Sequence, residues 1–307
     1  MRFFLIFTIL VTMFGCFRKN DNEISFYKKD QKIGLKRGTK KITEPIFDKL
    51  KMPFDSATGT TQAFVNGKWG IIDTTGKTII PFSFDSIQVT NKYILTQNSG
   101  LFALYDLVGN IILPLEYSSI TPDLNGNFVV ALNNKYGVVT KINDTVVSVI
   151  PLQYDLVKYD GSIYYFVYQN NKTGIIDNAG KILLETNYEE VMEIAYLPEE
   201  HLKLFKFTLN GKQGIITGFG DLIVKPEFDF IETFVKKIAR VQSKNKWGFI
   251  GIRGEVLVEP IYDQLAQFGN DGTAQFLYNG RKGFLERKQL FQNAQPHLQN
   301  RDKEPLQ

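Results

Sequence analysis

The sequence holds one cysteine in 307 residues, Cys16, so no disulfide can form within the chain. Its two histidines, His201 and His297, stand far apart, and no Cys/His cluster has the spacing of a zinc site. There is no Walker loop, no G-x-S-x-G, no G-x-G-x-x-G after a strand and no H-E-x-x-H. The common sequence signatures of nucleotide binding, serine nucleophiles and zinc proteolysis are therefore missing, and no cofactor or metal is implied. Charge of one sign is scarce as well. The formal net charge is +4, and Lys and Arg are scattered rather than gathered in a block, which argues against a nucleic-acid partner. The apolar run at 3–14 is too short for an ordinary transmembrane helix.

That run has the length of a signal-peptide core. Arg2 precedes it, and it ends at Met13-Phe14-Gly15-Cys16. The ending resembles a bacterial lipobox: Gly15 and Cys16 match, Met13 stands where Leu is usual, and Phe14 departs from the pattern. The resemblance implies a signal peptide over 1–15 and a lipidated Cys16 that begins a short polar tether over 16–23. Several acyl chains on one cysteine anchor a protein where a single chain does not. Phe17, in place of the aspartate of an inner-membrane retention signal, points in a diderm cell to the outer membrane. An uncleaved anchor helix and an ordinary secretory signal are the alternatives.

What the chain has in plenty is aromatic and β-branched material. It is 43% hydrophobic, with 25 Phe and 14 Tyr. Such residues suit a pleated, half-buried surface. They also recur in register. Lys68-Trp69-Gly70-Ile71-Ile72-Asp73 returns as Lys246-Trp247-Gly248-Phe249-Ile250, with weaker copies around Gly34, Gly137, Gly174, Gly214 and Gly283 and with Ala103 in the glycine position of one copy. Successive anchors are separated by 36, 33, 34, 37, 40, 34 and 35 residues. Tight-turn pairs precede them: Asn66-Gly67, Asn133-Asn134, Asn170-Asn171, Asn210-Gly211 and Asn279-Gly280. Such pairs tolerate positive φ and predict hairpins. A β-rich run with a proline follows, then an aromatic and an acid: Phe47-Asp48, Phe84-Asp85, Tyr154-Asp155, Tyr188-Glu189, Phe228-Asp229 and Tyr262-Asp263. Tyr117-Ser118 lacks the acid, and Thr186 replaces the proline of its copy.

This unit resembles the WG, or KWG, repeat over residues 24–291. Each copy reads as a β-meander of propeller-blade size that needs its neighbour to shield its faces. The predicted fold is all-β: about eight repeats of ~35 residues, propeller-like or, alternatively, an open curved β-solenoid. Residues 292–307 are polar, with Pro296 and Pro305, and read as a disordered tail.

The resemblance brings no shared catalytic activity. Trp69 and Trp247 read as packing residues, because Ile33, Phe102 and Tyr136 occupy the same position. The repeated acids read as turn acids that accept backbone N–H groups. A catalytic pair needs two unlike environments, and a repeated position tends to supply like ones. The candidate binding surface comprises Tyr164, Tyr165 and Tyr168 from the densest aromatic patch, and Glu199 and His201 from the longest spacing between anchors. The reading is a lipid-anchored scaffold of the bacterial envelope that binds a protein, peptide or glycan without catalysis. Its rivals are a propeller-type glycan hydrolase working through rim carboxylates and a passive structural protein of the envelope.

Overall fold

The computed structural model describes residues 23–293. Cys16, the signal segment 1–15, nearly all of the tether and residues 294–307 lie outside it. The regular structure of the described chain is almost wholly strand, arranged as eight antiparallel sheets in which strands follow one another in chain order. It divides into two compact units, with the division after Glu116. Sheets 1 to 3 fall in the first unit and sheets 4 to 8 in the second.

Sheet 2 shows the plan. Its strands are Lys49–Leu50, Thr60–Val65, Lys68–Asp73 and Thr78–Phe84. The same four-strand order recurs in sheets 3, 4, 5, 6 and 7. Sheet 1 has three strands, Ile24–Lys29, Lys32–Arg37 and Lys40–Lys41. Sheet 8 also has three: Gln264–Leu265, Thr273–Tyr278 and Arg281–Glu286, followed by helix α1, Arg287–Asn293. The last repeat thus ends in a helical turn that the sequence pattern did not predict. This helix runs two residues past the repeat boundary at 291. Among the described residues no helix is long and apolar enough to cross a membrane.

Local chemistry explains the meander. The turn between second and third strands has positive φ at both central residues, 50° and 85° at Asn66 and Gly67, for example. That is the twist a two-residue hairpin needs. The pair Lys244-Asn245, which lacks the Asn-Gly signature, adopts the same form at 50° and 63°.

The anchor glycine answers to a β-bulge on the fourth strand. Trp69 lies opposite Phe84 and Ile71 opposite Ile80, so residues 81–83 face Gly70 alone. The same shift occurs opposite Gly137, Gly174, Gly214 and Gly248. The bulged backbone crosses where a Cβ would otherwise stand: one on Gly174 would lie 2.6 Å from Leu184 O, and one on Gly70 would lie 2.8 Å from Ile80 O. The bulge also accommodates proline, which has no N–H to lose from the ladder. Thr186 keeps the same register in sheet 5, so the bulge does not require proline.

In sheets 2 and 6 the two apolar residues after the anchor point to opposite neighbours. Ile71 packs with Phe84, Ile94 and Tyr105 against sheet 3, whereas Ile72 packs with Leu35 and Phe47 against sheet 1. Ile215 and Ile216 divide in the same way between sheets 7 and 5. Each such side chain is fully buried, a contribution of roughly 1.5–3 kcal/mol apiece. The core is therefore a series of layers between consecutive sheets within each unit.

Candidate binding surface

The repeated acids form a joint between sheets. Five of the six follow the fourth strand of one sheet and precede the next; Asp48 follows Phe47, which bridges to Ile33 of three-stranded sheet 1, and precedes sheet 2. Asp85 accepts from Lys68 Nζ of its own sheet at 2.6 Å and from the backbone N–H of Ser99, in the hairpin turn of the following sheet, at 2.8 Å. Asp48 joins Lys32 and Asn66, Asp155 joins Lys135 and Asn170, and Asp263 joins Lys246 and Asn279. Asp229 does the same with Lys212 and Lys244, and Glu189 with Lys172 and Asn210. The lysine always stands two residues before the anchor, which hairpin and bulge bring opposite the acid. In the third repeat both partners are absent from the sequence, where Leu101 and Ser118 replace them.

The lysine bond is the main reason each of the six carboxyls lies below the usual carboxylate range, helped by the turn N–H. On unfolding these groups return to ordinary affinity for protons. Their stabilisation is therefore present above the ordinary carboxylate pKa and is lost as pH falls through that range towards the lowered folded values. Thermal melts should show a Tm that is level from pH 7 to about 5 and falls steeply below about pH 4. A Tm that stays level down to pH 3 would contradict the joint.

Deeper polar contacts tie sheets 4, 5 and 6 together. Asp123, at the first turn of sheet 4, accepts from Tyr165 Oη of sheet 5, and Asn127 Nδ2 donates to the same oxygen at 3.1 Å. Burial, with Asp123 alongside, pushes the Tyr165 phenol well above its ordinary range. Asp160 holds the matching turn of sheet 5. Burial would raise its pKa, but Lys203 Nζ at 2.8 Å, Ser162 and the Tyr164 N–H more than offset this and keep it low.

The aromatic patch departs from its sequence reading. Tyr165 is wholly buried against sheet 4, and Tyr164 is buried edge-on to Phe205 of sheet 6, with centroids 5.1 Å apart. Neither forms a binding surface, because a sheet covered on both faces buries consecutive residues. Tyr168 is half-buried beneath Lys158 Nζ, 5.4 Å from the ring centre. The long spacing around Glu199 and His201 is not an irregular loop. It lengthens the first hairpin of sheet 6, whose strands run Glu190–Leu197 and Leu202–Leu209. Glu199 and His201 are exposed at the tip; Glu199 reaches Lys237 at 4.0 Å and the His201 ring meets Tyr196 Oη at 3.3 Å. The structure does not bring these two residues to the tyrosines.

The two tryptophans have different surroundings. Trp69 packs beside Phe64, its cross-strand partner, at 5.0 Å, with Lys51 Nζ 5.9 Å from its ring. Trp247 lies against the core between sheets 7 and 8, under the Arg240 guanidinium at 4.7 Å and edge-on to Phe230.

Beside Trp247 opens a groove of about 350 Å³ lined by Lys206, Phe230, Ile231, Glu232, Thr233, Val235 and Gln267. Lys206 is 9% exposed; its Nζ donates to Ile231 O at 2.9 Å and lies 5.2 Å from the Phe230 ring. Burial lowers its pKa. Arg240 grips Glu232 through two nitrogens, donates to Leu265 O at 2.5 Å, and shares Glu232 with Gln267 Nε2. Arg240 is the chief cause of the low Glu232 pKa. Lys206 and Arg240 occupy one repeat position, just before the residue opposite the anchor glycine, and each bonds the same carbonyl position of the next sheet. Sequence reasoning passed over both. The signal was there, since the other repeats place Phe26, Gln62, Leu95, Val129, Phe166 and Gln275 at that position. Among the described residues no group of His, Cys, Asp and Glu is gathered to hold a metal.

A family model described as a WG containing repeat matches the chain at 69–100, 102–136, 214–247 and 247–281. The first two matched stretches fall around Trp69-Gly70 and Phe102-Ala103, and the last two around Gly214 and Trp247-Gly248. No match is found among curated protein sequences. Among solved structures the chain is similar to a eukaryotic initiation factor at 10% identity, covering 87% of this chain and 86% of that one with a TM-score of 0.34. It is also similar to apo AztD from Citrobacter koseri at 11% identity, covering 74% and 75% with a TM-score of 0.28. A third is the extracellular domain of the putative one component system BT4673 from B. thetaiotaomicron, at 12% identity, covering 86% and 46% with a TM-score of 0.24. Overlap at this level carries no functional information.

Proposed function

We propose that the chain is a non-catalytic binding scaffold, held at the bacterial envelope through lipid on Cys16 and presenting its stacked sheets to a protein, peptide or glycan. The observation that carries this reading is the use of the repeated carboxylates. Each is kept ionised between a lysine and a turn N–H, an arrangement suited to joining sheets. A glycosidic general acid needs a raised pKa and an unlike partner, and the six acids share one environment. The groove beside Trp247, with Phe230 and Val235 exposed at its surface, offers apolar area to a partner.

The test combines two measurements. Proximity crosslinking from intact cells identifies partners, and a triple variant, Asp85→Ala, Asp155→Ala and Asp229→Ala, is compared with the parent. On the scaffold reading the variant melts at lower temperature yet recovers the same partners below its Tm. A glycan-cleaving activity that vanishes in the folded variant would establish the hydrolase instead. Cys16→Ser should shift the chain from the membrane fraction to the soluble one; continued membrane retention would remove the lipid anchor from the reading.

A further inference from the structure

Sheet 8 is an unfinished copy of a unit seen complete in sheets 2 to 7. It has first, second and third strands but no fourth among the described residues. In the complete sheets with a bulge opposite the anchor, fixed positions on the third strand meet fixed positions on the fourth. In sheet 7, Phe249 faces Val258, Gly248 faces the bulge, Trp247 faces Tyr262 and Lys246 binds Asp263. The corresponding residues of sheet 8 are Phe284, Gly283, Lys282 and Arg281.

Phe284, Gly283 and Arg281 show the absence. Phe249 is fully buried, whereas Phe284 is 68% exposed. The anchor glycines of sheets 2, 4, 5, 6 and 7 are buried, whereas Gly283 is only partly buried. The lysine of every acid-bearing repeat has its carboxylate, whereas Arg281 has no ion pair among the described residues. Helix α1 does not complete the sheet; it places Leu290 into the core shared with sheet 7. An unpaired strand edge presents a row of free N–H and C=O groups and is a template for another strand. Residues 294–307 contain no aromatic, so they lack the aromatic-acid ending of a fourth strand.

We propose that the edge of Arg281–Glu286 accepts a fourth strand from a partner protein other than a second copy of this chain, with the pattern aliphatic-x-aliphatic-x-Pro-x-aromatic-acid. The acid lies opposite Arg281, the aromatic opposite Lys282, the proline bulge over Gly283 and an aliphatic residue over Phe284. The proposal rests on the scaffold reading and names a class of partner for it.

The probe is an amidated peptide, Val-Leu-Val-Glu-Pro-Ile-Tyr-Asp, copying residues 256–263, added to the full-length chain. Hydrogen exchange should show new protection of amides 281–286. Arg281→Glu should weaken binding about five-fold or more, as expected for a reversed exposed pair, and a peptide ending in Lys should restore it. Arg281 is exposed, so the variant keeps the fold. No protection of 281–286, or protection indifferent to the charge swap, would overturn the proposal. So would concentration-dependent protection of the free chain, which would make a second copy the occupant. Partners still captured in cells after such a result would leave the scaffold standing without this edge.

Discussion

Gly248→Ala is expected to destabilise the second unit by about 3 kcal/mol or more, in the upper range for overpacking a filled site. The added methyl would stand inside contact distance of Val258 O, 2.7 Å from Pro260 N and 2.9 Å from Glu259 C. All three are backbone atoms of the bulged fourth strand. Relief therefore requires moving a strand whose neighbours Phe249 and Val258 pack against sheet 8. Gly283→Ala is the internal control. The atoms nearest its methyl would be those at the far end of the Phe276 ring, with Cε1 at 2.9 Å, and among the described residues no fourth strand lies beside it. A ring can turn where a backbone cannot, so that loss should be about 1 kcal/mol. Urea unfolding monitored by near-ultraviolet circular dichroism measures both. Equal losses would show that the bulge does not determine the glycine.

Lys203→Met should rank second, at about 2 kcal/mol near neutral pH. Removing one partner of a buried pair costs 3–5 kcal/mol when nothing else compensates. Here Ser162 and the Tyr164 N–H still hold Asp160, and Lys203 is itself 17% exposed, so the lower figure applies. Asp160 has a side chain only 6% exposed, and among the described residues Lys203 is the one cation bonded to it. Burial would pull the Lys203 pKa down, but Asp160 and Glu193 together raise it. Without the lysine, burial would raise the Asp160 pKa. A group whose folded pKa is raised contributes stability at low pH and loses it as pH rises. The gap between variant and parent should therefore shrink as pH falls from 7 to 4. A gap that is constant with pH would mean that lost packing, not lost charge, accounts for the change.

Both effects depend on register, and register separates what could be read from the chain from what could not. The spacing of Gly34, Gly70, Gly137 and their fellows carried the all-β repeat, because one structural unit needs the same close approach each time. Asn66-Gly67 and Asn210-Gly211 disclosed their hairpins through φ alone. The joint between sheets was half legible. Lys68 and Asp85 recur visibly, but 17 residues separate them, and only the hairpin and the bulge set them opposite each other. Tyr164 and Tyr165 misled, since alternation assumes one solvated face and sheet 5 has neighbours on both.

Local rules, acting over a few residues, were enough for the sequence to determine strand, turn, period and the glycine at each bulge. The partner of each ionised group, the burial of both tyrosines, the Lys206–Arg240 groove and the open edge beside Phe284 were decided only in three dimensions. Each depends on which sheet lies next to which, and in an array of like units that is a property of the stack rather than of any one repeat.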